Sequence, residues 1–283
     1  MLKKHKRHMG KFTLLNASGK LIVYLYALIL IVPMSFAVMT AFKTGTERVM
    51  NPIGLPKSFL NFSNFAKAWT DGGLVTATKN SIIISVSCLV LNLIQIVFVT
   101  FHLDEIRDTK IGKFIYMVIL ASIFIPGVSS VTSLMLRRRL GMYNNLWGEI
   151  VANSTLNAVG VFIVGGFIRT VPRELREAAE IDGASDFYYM THVLVHVVRP
   201  AIVTIGIQIF QGLWNNCLGM MLTLRSKKLW TIPIALTMNF TTQYSVQYEV
   251  MFAGIIMTSI PLVVAYCKCQ KYFVSALTGS IKG

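Results

Sequence analysis

Hydrophobic residues in this chain come in long unbroken runs, with no alternation of apolar and polar positions inside them. Leu21 to Phe42 contains no charged residue, and at about 1.5 Å per helical residue it is long enough to cross about 30 Å of hydrocarbon. Further runs follow at Ser81 to Phe101, Phe114 to Leu136, Val151 to Ile168, Ala201 to Leu224 and Val250 to Cys267. Backbone polar groups left unpaired in lipid are costly, so a spanning chain is either helical or a closed barrel, and continuous runs select the helix. The pattern predicts an all-α polytopic membrane protein of about six transmembrane helices. The fourth run opens on polar residues, Asn153, Ser154 and Asn157, which in a span face other helices or a cavity.

Composition agrees with lipid as the solvent. Of 283 residues, 54% are hydrophobic and 14% charged, and the mean hydropathy is +0.61, too apolar for a soluble domain of this length. The net charge of +15 would suggest nucleic acid in a soluble protein. Here the basic residues sit mostly in tails and loops, where they meet lipid headgroups and fix topology, and no aromatic and basic nucleic-acid module accompanies them. Cys88 and Cys217 lie in apolar runs, and Cys267 with Cys269 ends the last one. They predict no metal site.

A basic tail over residues 1–20 leads into a single membrane domain over 21–283. With the tail cytoplasmic, inner segments hold 16 Lys and Arg and outer segments 11, which favours both termini inside. Arg137, Arg138 and Arg139 fall on the outer side, against that rule. The long segments 43–80 and 225–249, rich in Pro, Gly, Thr and Gln, predict folded external caps.

The segment 169–200 between the fourth and fifth runs has a composition of its own. Pro172 suits a first helical turn, Glu174 and Glu177 lie where a helix dipole favours acids, and Arg176 can pair with Glu180. Asp182 and Gly183 end that helix, and Ser185 or Asp186 can cap a second. Small Ala178, Ala179 and Ala184 allow close backbone approach, so the hairpin suits insertion into a partner's groove. An amphipathic helix lying on the inner leaflet is the competing reading.

Glu177 to Ala184, E-A-A-E-I-D-G-A, resembles the EAA loop of bacterial ABC importer permeases, in its carbohydrate-uptake form. Pro52 to Ser58, Ile125 to Gly127, Leu140 to Asn144, Trp214 with Asn215, and the ending Gln270 to Gly283 are similar to the maltose-type inner permease, so the resemblance covers nearly the whole chain. It implies a multi-pass protein of the bacterial cell membrane with six helices and cytoplasmic termini. It further implies a cytoplasmic coupling-helix loop that docks on an ABC ATPase dimer, with Glu177, Ala178, Ala179, Asp182, Gly183 and Ala184 as the docking surface. The other partners implied are a second homologous permease subunit, an extracytoplasmic solute-binding protein and a sugar substrate. The chain departs from the family pattern at Phe101 to Glu105 after the second run, at Val195 and His196 where Leu-Pro is usual, and at Asn216 to Gly219.

No catalytic residue or cofactor is expected. The chain lacks the G-x-x-x-x-G-K-S/T phosphate loop and any nucleophile with a convincing base partner. His192 and His196 lie four apart with no third ligand near in sequence, so no metal is assigned to them. In the fifth run Gln208, Gln211 and Asn215 share one helical face with Trp214 beside them, and Asn92 and Gln95 form a similar pair in the second. Amides exchange hydrogen bonds with sugar hydroxyls and an indole stacks on a sugar face, so these residues are the candidate substrate path; amide bonding between helices is the alternative. Three other readings stand beside the sugar importer: a permease for glycerol phosphate, an amino acid or a peptide; a membrane-embedded transferase; and a non-transporting scaffold.

Overall fold

The computed structural model describes residues 2–125, 130–241 and 246–279, with side chains described for 19–125, 131–241, 246–270 and 272. Among these residues every long element is helical, as the continuous apolar runs require. The chain's own contacts divide the domain expected over 21–283 into two compact units, Met1–Gly72 with Asn239–Met257, and Gly73–Met238 with Thr258–Gly283.

The first unit contains α1 (Leu2–Ala41), α2 (Gly45–Met50) and α3 (Ser63–Thr70). The apolar part of α1, Gly19–Ala41, buries none of its most apolar stretch within the chain, so its surroundings are lipid or another subunit. Beyond it the chain folds tightly. Thr44 and Glu47 form a capping box on α2, and the Glu47 carboxylate also accepts from the Lys57 N–H at 2.5 Å. Lys43 is fully buried, its Nζ donating to the carbonyls of Asn51 at 2.8 Å and Pro52 at 3.0 Å. Asn64 donates to the carbonyls of Ala41 and Lys43 at 2.8 and 2.7 Å. Phe42 packs on Phe59, Phe62 and Phe65 with ring centroids 5.1 to 5.7 Å apart. The segment after the first span is thus a folded cap, as its Pro and Gly content predicted.

The second unit is organised on α4 (Leu74–Glu105), a 32-residue helix. Two apolar cores lie along it. Ile84 and Cys88 pack with Ile150, Met220, Leu224 and Ile234, while Ile96 and Phe101 pack with Val164, Ile168, Tyr189, Met190, Leu194, Ala201 and Ile205. Gly160 permits a close approach to this helix, since a β-carbon there would sit 2.4 Å from Ile96 Cδ1.

Several expected spans are broken. Three helices are each long and apolar enough to cross a membrane, Gly19–Ala41, Leu74–Glu105 and Tyr248–Gln270 of α15 (Tyr248–Gly279), and two bent pairs bring the total to five among the described residues. The run 114–136 holds α5 (Lys110–Phe124) and α6 (Ser130–Arg139), and its I-P-G motif lies partly outside the described residues, as does the end of the Gln270 to Gly283 match. The run 151–168 is α7 (Leu146–Asn153) and α8 (Ala158–Ile168), bent by 46°. The polar residues at its start explain the break, because Asn157 leaves the helix to accept from the Gly160 N–H at 2.7 Å and cap α8.

The run 201–224 stops early. Helix α12 (Arg199–Trp214) ends there, and Asn216 Oδ1 accepts from the Gly219 N–H at 3.2 Å ahead of α13 (Leu218–Thr223). Asparagines compete with the helix for such local bonds. Helix α14 (Ile232–Phe240) follows.

Two of the three arginines that run against the charge rule have partners in the structure. Glu149, 1% exposed, bonds Arg137 at 2.5 Å and the Thr223 hydroxyl, and Arg138 lies over the Tyr143 ring at 4.7 Å. Arg137 answers a buried carboxylate, so it weighs little as a topology signal.

Candidate functional site: a hairpin on a helical bundle

Residues 169–197 form the hairpin that the composition predicts. Helix α9 (Glu174–Ile181) runs into Gly183 at φ +79°. There the Gly183 N–H donates to Glu180 O at 3.0 Å and the Ala184 N–H to Ala179 O at 2.9 Å, the glycine-stopped helix end that satisfies the last carbonyls. Ser185 then caps α10 (Asp186–Tyr188), accepting from the Tyr188 N–H at 3.2 Å. A π-helical turn (Tyr189–Leu194) follows, then α11 (Val195–Val197), and the chain turns by 81° into α12 at Val198.

The two arms differ in burial. Tyr189, Met190 and Leu194 enter the core, whereas α9 buries no residue. Of the six docking candidates, Glu177, Ala178, Asp182 and Gly183 are exposed, and Ala179 and Ala184 half-buried. Nothing lies within 4 Å of where a Gly183 side chain would begin. Around this small-residue turn stand apolar residues that sequence reasoning passed over: Ile181 is 87% exposed and Phe187 62%. Their hydrophobicity was legible, but their direction was not. His192 stacks on Tyr188 at 4.3 Å and shares a hydrogen bond with Thr191.

Arg176 makes the i,i+4 bond to Glu180 at 3.1 Å that the spacing predicts. It also reaches Glu105 at 2.8 Å and Asp186 at 2.9 Å, and lies over the Phe101 ring at 5.3 Å. Burial lowers its pKa, the bonds to Glu105 and Asp186 raise it, and the net shift is upward. Phe101 and Glu105 are among the residues that depart from the family pattern, and the hairpin uses both. A cleft of about 360 Å³ lies between the end of α4 and α9, with Asp104, Asp108, Arg173, Glu177 and Glu180 among its walls.

A second cavity, of about 600 Å³, opens among α4, α5, α7, α8 and α12. Asn92, Asn153, Asn157, Gln208 and Asn216 line it with Ser122, Thr155 and apolar residues. The candidate path residues therefore separate. Gln208 and Asn92 line this cavity, while Gln211 and Asn215 are exposed and lie outside its walls. Trp214 is 3% exposed, donates from Nε1 to the Thr258 carbonyl at 3.2 Å and packs on Phe210, so its indole faces protein. Asn92 donates to Asn153 O at 3.1 Å and Gln95 to Ser154 O at 2.8 Å. Both amides hold the broken fourth span to α4, the interhelical role set against sugar contact for residues of this kind. Asn153, Asn157 and Asn216 join the cavity from helix breaks, where the cluster of polar residues at the start of the fourth run was the available signal.

Comparison with known proteins places this architecture. The chain is 30% identical over 266 residues to the arabinooligosaccharides transport system permease protein AraQ of Halalkalibacterium halodurans, covering 91% of this chain and 93% of that one. It is 29% identical over 253 residues to the diacetylchitobiose uptake system permease protein NgcG of Streptomyces coelicolor, covering 88% and 83%. Its fold matches a chain in the crystal structure of a bacterial ABC transporter involved in the import of the acidic polysaccharide alginate, with a TM-score of 0.80, 21% identity and coverage of 93% and 96%. Residues 80–274 match the family described as binding-protein-dependent transport system inner membrane component, and with most of α4, the hairpin and the amide-lined cavity inside that stretch, the chain belongs to this family of membrane permeases.

Proposed function

We propose that this permease carries a neutral oligosaccharide, and that a separate ATPase pair drives it through the hairpin at 174–197. The observation that carries the substrate class is the wall of the 600 Å³ cavity, which presents five amides and two hydroxyls and no charged side chain. Amides donate to and accept from sugar hydroxyls. A phosphorylated or zwitterionic solute would leave its charge unpaired in such a wall, at a cost of several kcal/mol. The oligosaccharide relatives support the same class. Gln208 and Asn216 are the proposed contacts, while Gln211, Asn215 and Trp214 lose standing.

The coupling half rests on the hairpin. Its backbone is satisfied internally, yet Ile181, Phe187, Ala178 and the open space above Gly183 face outward, as a face that closes on another protein would. In this reading the hairpin and both termini are cytoplasmic, ATP is hydrolysed in the partner, a second permease completes the path, and a solute-binding protein delivers the sugar.

The test is uptake by cells carrying the transport system with and without this chain. Labelled neutral oligosaccharides are expected to enter only with it, and Gln208→Leu or Asn216→Leu to change which sugars enter while the protein remains in the membrane. Uptake of sugar phosphates in their place, or unaltered selectivity in both variants, overturns the substrate class. Copurification from detergent tests the coupling half, with an ATPase expected in the complex.

A further inference from the structure

Besides the apolar cores along it and the ties at Asn80 and Ser81, helix α4 has two polar ties that join the hairpin and the cavity. At one, Arg176 joins the hairpin to Glu105 and Phe101. At the other, Asn92 and Gln95 grip the carbonyls of Asn153 and Ser154, where the fourth span is broken beside the cavity. Between them α4 is one uninterrupted helix of about 20 Å, and a hydrogen-bonded helix transmits a push along its axis with little compression. The covalent route from the hairpin into α12 is softer, passing through a π turn and an 81° bend.

We infer that Arg176 is the positioning residue that passes hairpin movement into α4, and that Asn92 and Gln95 deliver it to the turn at 154–157 on the cavity wall. The inference rests on the proposal that the hairpin docks on an ATPase. Arg176 is singled out over Arg173 by magnitude. The Arg173 bond to Asp108 is 3.3 Å between two largely exposed groups and contributes little in water. Arg176 is two-thirds shielded, faces three carboxylates within 3.1 Å and covers an aromatic ring; Glu180 and Asp186 are more than half exposed, so its removal tells chiefly on the shielded Glu105 and the Phe101 ring.

The experiment uses the complex as it copurifies. Thr155→Cys, on the cavity wall, is alkylated in the nucleotide-free complex and in the complex trapped with ATP and vanadate, and its peptide is followed by mass spectrometry apart from the native cysteines. The rate is expected to differ between the two states by about tenfold in the otherwise unaltered chain. In Arg176→Ala and Glu105→Gln the difference shrinks to about twofold or less, with ATPase still copurifying and hydrolysing ATP; Arg176→Lys is intermediate and Arg173→Ala keeps the full difference. A full difference in Arg176→Ala overturns the inference, as does no difference in the parent. Loss of the ATPase from Arg176→Ala alone overturns it too, because Arg176 would then serve docking. An ATPase absent from the parent complex instead overturns the docking proposal beneath it.

Discussion

The cap that follows α1 and the hairpin that precedes α12 are both short, polar and built around turns, yet they are finished to different degrees. In the cap, Lys43, Glu47 and Asn64 are buried and spend their polar groups on neighbouring backbone, and four phenylalanines touch one another, while Met50, Ile53 and Leu60 stay exposed. In the hairpin the backbone turn is equally well satisfied, and Tyr189, Met190 and Leu194 enter the core, but α9 buries no residue and Ile181 and Phe187 stay largely exposed. The difference lies in the charged and amide side chains, which the cap buries against its own backbone and α9 leaves unburied.

Substitutions can break this contrast. The largest effect is expected in the cap. Lys43→Met removes the buried donor that the Asn51 and Pro52 carbonyls share and should lower stability by about 1–3 kcal/mol, read as a fall in the melting temperature of the purified protein and in its yield. A stable Lys43→Met protein would mean that the cap is no more self-contained than the hairpin. Next, the double variant Ile181→Ser with Phe187→Ser should lower the melting temperature by a few degrees at most, because Ile181 is 87% exposed and Phe187, which touches the Phe98 ring at 6.3 Å, is 62% exposed. Recovery of the ATPase in the complex should fall about tenfold, as expected when two apolar anchors are lost.

The smallest effect sharpens the comparison. Gly183→Asn, whose side chain tolerates positive φ, should cost less than about 1 kcal/mol in stability and retain most transport. A β-carbon at Gly183 meets no neighbour within 4 Å, although φ is +79°, so Gly183→Trp should abolish transport, by filling the space a partner occupies on top of the backbone strain it shares with other substitutions there. Equal transport in the two variants would leave the glycine with a purely conformational role.

The long apolar runs at 21–42, 81–101 and 250–267 were legible because continuous hydrophobicity alone selects a spanning helix, and the structure carries helices through all three. The hairpin was legible for local reasons: the Arg176 to Glu180 spacing, the glycine stop and the serine cap each act within a few residues. The breaks were harder. Asn157 and Asn216 signalled polarity inside apolar runs, but whether an amide caps a helix, bridges two helices or faces a cavity depends on what stands opposite. Trp214 shows the same limit, since the helical face it shares with Gln211 and Asn215 was plain, and the carbonyl that claims its N–H comes from residue 258.

The order of residues by itself determined that the chain lives in lipid, that it is helical, and that a glycine-broken hairpin lies between its fourth and fifth apolar runs, because hydrophobic run length, capping and turn chemistry are local properties. Tertiary structure decided which polar residues became wall and which became brace, buried the Glu149 that Arg137 pairs with, and brought Arg176 onto Glu105, 71 positions away. Those choices rest on what packs around each group, which for Arg176 lies far outside any local window along the chain.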